Sequence, residues 1–162
     1  MSEQTLSLKV NGEIATFSAE PRMSLADFLR DRVGLTGTHL GCEQGVCGAC
    51  TLRLDGEIVR SCLMLAAQAE GCEIETVEGL SDSGEITDLQ EAFIQRNALQ
   101  CGFCTPAMLI TAHNLLLKSP MPDRETIREH LSANYCRCTG YHAIVNAVEA
   151  VARARGAERG HE

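Results

Sequence analysis

Leu6, Leu8 and Val10 alternate with Ser7 and Lys9, and the alternation resumes over Glu13-Ile14-Ala15-Thr16-Phe17 after Asn11-Gly12. An Asn-Gly pair supplies the two positive-φ positions of a two-residue turn, so these runs predict an antiparallel hairpin. The same chemistry recurs where Thr51-Leu52-Arg53-Leu54 and Glu57-Ile58-Val59-Arg60 flank Asp55-Gly56. Residues 72–77 read as one more strand, acidic on one face. Between the hairpins, Ser24 is placed to cap a short helix carrying Leu25, Phe28 and Leu29 on one side, with Gly34 as its left-handed end. Two hairpins, one helix and a final strand predict an α+β unit, a mixed sheet curled over a single helix.

The pattern changes after Gly-Leu-Ser-Asp-Ser-Gly at residues 79–84, beyond which everything reads as helix. Thr87 with Gln90 fits a capping box ahead of Leu89, Ala92 and Phe93. Thr105-Pro106 opens a longer helix that Ser119-Pro120-Met121-Pro122 stops. Asp123 is placed to cap a third helix bearing Ile127, His130 and Leu131, and Tyr141 or His142 precedes a fourth whose Ile144, Ala147, Val148 and Val151 form one stripe. The predicted organisation is a sheet domain over 1–79, a linker over 80–87, a helical domain over 88–152 and a mobile tail over 153–162.

At 162 residues with 4% aromatics and no Trp, each half has a modest core that leans on a staple. Nine cysteines supply candidates. The N-terminal Met-Ser-Glu-Gln-Thr lacks a basic stretch leading into an apolar one, so a reducing compartment, the cytoplasm, is expected, with bound metal favoured over disulfides. The longest apolar stretch, residues 108–117, is interrupted by Thr111, His113 and Asn114 and is too short to span a bilayer, so no membrane insertion is expected. A formal charge of -8 argues against binding nucleic acid.

Cys42, Cys47, Cys50 and Cys62 have the spacing C-x4-C-x2-C followed by a remote cysteine, the plant-type arrangement for a [2Fe-2S] cluster. Gly41, Gly45 and Gly48 let the loop wrap closely and turn its N–H groups toward sulfur. Structural zinc is the alternative, although its thiolates come as two close pairs and here the fourth cysteine stands alone. Cys101, Cys104, Cys136 and Cys138 form a C-x2-C and a C-x-C pair. Spacing alone leaves them open to zinc or a redox dithiol. All four fall at predicted helix ends, and a helix N-terminus beside Cys104 favours thiolate.

Cys-Glu-Gln-Gly-Val-Cys-Gly-Ala-Cys-Thr at 42–51, Gln-Cys-Gly-Phe-Cys-Thr-Pro at 100–106 and Asn-Tyr-Cys-Arg-Cys-Thr-Gly-Tyr at 134–141 together resemble the iron-sulfur subunit of the xanthine oxidase family of molybdenum hydroxylases. The resemblance spans essentially the whole chain. It implies an N-terminal plant-ferredoxin-like β-grasp domain and a C-terminal four-helix bundle, each holding one [2Fe-2S] cluster, with Cys42, Cys47, Cys50 and Cys62 ligating one and Cys101, Cys104, Cys136 and Cys138 the other. It further implies electrons arriving from a molybdenum-pterin centre on a large subunit and leaving for FAD on a medium subunit, in a dimer of heterotrimers. Gln100 and Cys138 match positions that contact the pterin cofactor in relatives. Ala107 stands where many relatives have Gly.

No nucleophile, base pair or phosphate loop appears, so the expected role is electron transfer within an enzyme whose bond chemistry lies on another chain. A free ferredoxin-like carrier and a zinc-stapled interaction module are the competing classes. Cys72 is expected in the core rather than as a ninth ligand. His39 beside the first loop does not make a Rieske centre, which needs two His in place of two Cys. His113 and His130 are expected to pack or lie at the surface. Arg137 either pairs with cluster or cofactor charge or is solvated, and Glu73, Glu75 and Glu78 are expected to face solvent.

Overall fold

The structure, a computed structural model, describes residues 3–159. Both predicted hairpins form: β1 (Gln4–Val10) with β2 (Glu13–Ala19), and β3 (Thr51–Leu54) with β4 (Glu57–Arg60). Asn11 and Gly12 take φ of 51° and 83°, and Asp55 and Gly56 take 49° and 82°, as such turns require. The last strand, β5 (Glu73–Glu75), lies in the middle of the sheet order β2-β1-β5-β3-β4, parallel to β1 and antiparallel to β3. This is the mixed sheet expected. Its buried face carries Leu6, Leu8, Val10, Leu52 and Ile74 against Leu25, Phe28 and Leu29 of the capped helix. That helix has a single α-helical turn, α1 (Leu25–Asp27), continuing as a π-helical turn over Phe28–Val33; Ser24 Oγ accepts from Asp27 N, and Gly34 closes it at φ 84°.

The helical half holds α2 (Val77–Asp82), α3 (Thr87–Gln95), α4 (Thr105–Lys118), α5 (Arg124–Leu131) and α6 (His142–Arg159). Residues 107–116 of α4 are all buried, so this helix is the axis around which the others pack. Its partners contribute Phe93, Ile127, Leu131, Ile144, Val148 and Val151 to a second core, distinct from that under the sheet. Asp123 caps α5 through Thr126 N at 2.8 Å, as expected.

Several expectations fail for reasons of tertiary contact. The stretch predicted as a linker over 80–87 is largely structured: α2 occupies its start, and Leu80 and Ile86 are buried in the helical core. The capping box at Thr87 does not form, because Ile86 occupies the cap position and Gln90 Nε2 donates instead to Ser81 Oγ. α6 runs to Arg159 rather than ending at 152, held where Arg155 grips the Asp88 carboxylate through Nε and Nη2 at 2.6 and 2.7 Å; residues 160–162 of the expected tail lie outside the described residues. Glu73 is exposed as expected, whereas Glu75 and Glu78 are half-buried. Arg53 pairs with Glu75 at 3.1 Å, and the Glu78 carboxylate accepts from Gly37 N and Thr76 Oγ1. Cys72 sits half-buried at the strand end beside Asp55, whose hydrogen bond raises its thiol pKa, rather than in the core.

The halves meet where the β3–β4 hairpin lies on α4. Asn114 Nδ2 donates to Gly56 O at 3.1 Å, Lys118 pairs with Glu57, and Ile58 packs against the helical core. Within this seam His113 is 2% exposed, and neither ring nitrogen is hydrogen-bonded among the described residues; Glu85 lies 3.4 Å from Nε2 without hydrogen-bond geometry. Burial first, then Arg53 of β3 and Arg155 of α6, depress its pKa against the pull of Glu85 and of Asp88 on α3. The unfolded chain therefore takes up a proton that the folded chain resists. Stability is expected to be level above about pH 7.5 and to fall as pH drops below about 6.5, by up to ~1.4 kcal/mol per pH unit for each such histidine. His113→Gln should flatten part of this slope in urea titrations, leaving the share of His130, whose pKa burial and then Lys118 also depress. An unchanged slope would assign the effect elsewhere.

Candidate metal centres

The first thiol loop leads into β3 and receives Cys62 from the turn after β4, so one hairpin carries both ends of the set. The loop is wound around the Cys42 sulfur, which accepts backbone N–H groups from Cys47 at 3.3 Å and Gln44 at 3.4 Å. The Cys47 and then Gln44 amides lower the Cys42 thiol to about 7. Cys50 is buried, and Cys62 is pushed up to about 11 by burial and then by the adjacent Cys50. Gly48, at φ 74°, lets the loop press on the helical half: a Cβ there would come within 2.5 Å of Ala133 O.

The second set joins the turn before α4 to the loop between α5 and α6. Cys101 and Cys138 are exposed with sulfurs 3.4 Å apart, and Cys104 and Cys136 lie half-buried behind them. The Phe103 amide and then Cys138 lower Cys101, whereas burial and then Cys136 push Cys104 up to about 12. Burial pushes Cys136 upward, but the Thr139 hydroxyl at 3.1 Å and amide at 3.5 Å outweigh it. Tyr141, at φ 67°, turns back so that its hydroxyl accepts from Cys136 N at 2.9 Å and donates to Asn134 O at 3.1 Å. Gln100 Nε2 donates to Cys138 O at 3.1 Å, which places the two residues expected to face a donor on one exposed patch.

No disulfide joins any of the nine cysteines. Among the described residues, no three His, Cys, Asp or Glu side chains converge as a single ion requires. A [2Fe-2S] cluster spreads four thiolates over two irons and takes N–H donors at sulfur. The donor sets have that chemistry: each gathers four cysteines at one end of its domain, Cys101 and Cys138 with sulfurs 3.4 Å apart, and backbone amides are already aimed at the Cys42 and Cys136 sulfurs. His39 takes no place among the donors. It stacks on Phe103 at 4.8 Å, and its Nδ1 lies 2.7 Å from Phe103 O, linking the two thiol loops from the outside.

Asn134 is the residue that sequence reasoning overlooks. It is buried between the two sets, two positions before Cys136, with its amide spent on Gly48, Thr51 and Thr111. The one available signal was an amide side chain placed next to a ligand motif.

Two family models match: "2Fe-2S iron-sulfur cluster binding domain" over residues 8–104 and "[2Fe-2S] binding domain" over residues 76–149. Caffeine dehydrogenase subunit gamma of Pseudomonas sp. (strain CBB1) is 53% identical over 154 residues, 93% of this chain and 92% of that one. The nicotine 6-hydroxylase small subunit of Paenarthrobacter nicotinovorans is 54% identical over 143 residues, 88% of this chain and 86% of that one. Quinoline 2-oxidoreductase from Pseudomonas putida 86 contains a chain that superposes with a TM-score of 0.90 at 54% identity, covering 98% of each.

Proposed function

The chain belongs to the iron-sulfur small subunits of the xanthine oxidase family of molybdenum hydroxylases, and from that premise we propose the path of electrons through it. They leave a molybdenum-pterin centre on a large subunit and enter at Cys101, Cys104, Cys136 and Cys138. They pass to Cys42, Cys47, Cys50 and Cys62, and depart to FAD on a medium subunit or another acceptor. Each set holds one [2Fe-2S] cluster, which when bound accepts and releases one electron at a time. Gln100 and Cys138 face the pterin. The second set sits on a four-helix bundle of α3 to α6, and the domain boundary belongs near residue 76, since α2 feeds the helical core.

The observation that carries the proposal is the direct bond between the sets: Tyr135 N, one residue before Cys136, donates to Cys47 O at 2.8 Å. Two redox sites joined in this way suit a relay, whereas a zinc staple has no use for the connection. Exposed apolar side chains flank both sites, Val46 and Leu63 at the first, Leu99, Phe103 and Tyr135 at the second. On an acidic protein these fit docking surfaces for the medium and large subunits respectively. No described helix is long and apolar enough to cross a membrane; cysteines held as cluster ligands rather than disulfides suit a reducing cytoplasm, where we place the complex as a dimer of heterotrimers. The substrates named for the relatives, caffeine, nicotine and quinoline, are nitrogen heterocycles, and we assign the complex a substrate of that class.

Purification of the chain with whatever its neighbouring genes encode, followed by iron, molybdenum and flavin analysis, tests this. A complex carrying all three is expected; a monomer carrying zinc and no iron would overturn it. Gln100→Ala should leave both clusters assembled while slowing reduction by substrate, by up to about a hundredfold if the docked donor shifts by about 1 Å. Unchanged turnover would take Gln100 out of the path.

A further inference from the structure

Asn134 is 1% exposed, and every polar atom of its amide is engaged. Nδ2 donates to Gly48 O at 2.9 Å and to Thr51 Oγ1 at 3.1 Å, while Oδ1 accepts from Thr111 Oγ1 at 2.8 Å. One side chain on the second thiol loop thus holds the first thiol loop at Gly48, the start of β3 at Thr51, and the axial helix α4 at Thr111. Thr51 reinforces the knot, its hydroxyl donating to Gly48 O at 2.6 Å, and Arg60 closes it from outside by reaching Thr51 Oγ1 and Ala133 O. A buried amide stripped of these partners loses hydrogen bonds that water cannot replace, so the arrangement has one satisfied register.

That register decides where the next residue points. The peptide N–H of Tyr135 meets the carbonyl of Cys47 at 2.8 Å. Between the Cys47 and Cys136 sulfurs the path is therefore covalent throughout except for this single hydrogen bond. Electronic coupling falls far more steeply across a van der Waals gap than along bonds, so a small slip of one loop past the other weakens the coupling without touching either donor set. The His39–Phe103 stack also joins the loops, but it meets the first set only through residues outside the cysteine run.

Resting on the iron-sulfur reading above, we propose that Asn134 is a positioning residue for electron transfer between the two sites, holding the Tyr135 N–H on the Cys47 carbonyl. One electron crosses: the Cys136 side is oxidised, the Cys47 side is reduced by the same electron, no bond forms or breaks, and the Tyr135 proton stays on nitrogen. The electron originates from substrate oxidised on the partner subunit, or from a photoreductant in the test.

The test uses the holo-complex loaded with one electron by flash reduction, following its redistribution between the two spectroscopically distinct centres. The magnetic splitting between them is read in the fully reduced protein. Asn134→Ala should keep the iron content and each centre's own spectrum and potential, because Asn134 touches no sulfur, while slowing redistribution by about tenfold or more and diminishing the splitting. Thr111→Val, which removes one partner of the amide, should give a smaller change in the same direction. Ile58→Ala, which loosens the same domain seam through the helical core and makes none of the Asn134 hydrogen bonds, should lower the melting temperature and leave the rate alone. Wild-type rate and splitting in a fully loaded Asn134→Ala complex would overturn the proposal, as would equal slowing by Ile58→Ala. If Asn134→Ala fails to load iron, Thr111→Val decides by the same criterion. A wild-type chain without iron would instead overturn the iron-sulfur reading itself.

Discussion

Cys101→Ser is expected to halve the iron of the purified protein, abolish one of the two paramagnetic signals expected after dithionite reduction, and leave the other unchanged. Serine keeps the size of cysteine but holds its proton at any workable pH, so the position no longer offers an anionic sulfur to iron. The loss should be confined to one centre, because the first set is complete within residues 42–62 and draws no donor from the second. The functional consequence is large. On the proposed path the entry site is then empty, so substrate should no longer reduce the remaining centre, and turnover with an external acceptor should vanish although dithionite still reduces that centre directly. Cys72→Ser is the matched control. Its thiol lies at the strand end against Asp55, so full iron and both signals are expected. Loss of both signals in folded Cys101→Ser protein would contradict two independent sites, and loss of iron in Cys72→Ser would make the ninth cysteine a ligand.

What the chain discloses in advance is whatever its near neighbours decide. Asn11-Gly12 and Asp55-Gly56 fix their turns with two residues each, Asp123 and Ser24 find their capping amides three positions on, and the first three cysteines of the first set lie within one loop. What stays hidden depends on contacts far along the chain. Gly79 and Ser81 are poor helix formers, yet α2 forms, because Asn11 holds Thr76 through both its backbone amide and its hydroxyl at 2.8 and 3.0 Å and Leu80 is drawn into the helical core. The charged residues after Val151 look like a tail until Asp88 takes hold of Arg155 from α3. Glu78 looks solvated until Gly37 presents its amide. Asn134 belongs to the same class. Its partners Gly48 and Thr51 lie more than 80 residues away, and nothing within its own loop indicates that its amide faces inward.

Among the described glycines, Gly48→Ala should be the most damaging substitution, because its nearest clash is with backbone. Two costs combine there. Backbone φ at 74° is a left-handed conformation that costs a residue with a Cβ about 1–2 kcal/mol. The new Cβ would also lie 2.5 Å from Ala133 O and 3.0 Å from the Asn134 Cα, both backbone atoms that cannot rotate away; overpacking of this kind adds about 1–3 kcal/mol. Gly71 separates the two costs. It has φ 83° with nothing within 4 Å of the position a methyl would take, so Gly71→Ala should show the backbone cost alone, about 1–2 kcal/mol. The excess in Gly48→Ala then measures the clash across the seam, and it should appear as more than lost stability. To relieve the contact the first thiol loop must move off the second, which breaks the Tyr135–Cys47 hydrogen bond and strips Asn134 of its acceptor at Gly48. Heating should therefore resolve separate transitions for the sheet and helical halves in Gly48→Ala, with iron released first from the first set, while Gly71→Ala melts as the wild type does at a slightly lower temperature. Equal destabilisation by the two substitutions would mean that the loops do not press on each other at Gly48, and the close approach of the two sites would have to be abandoned with it.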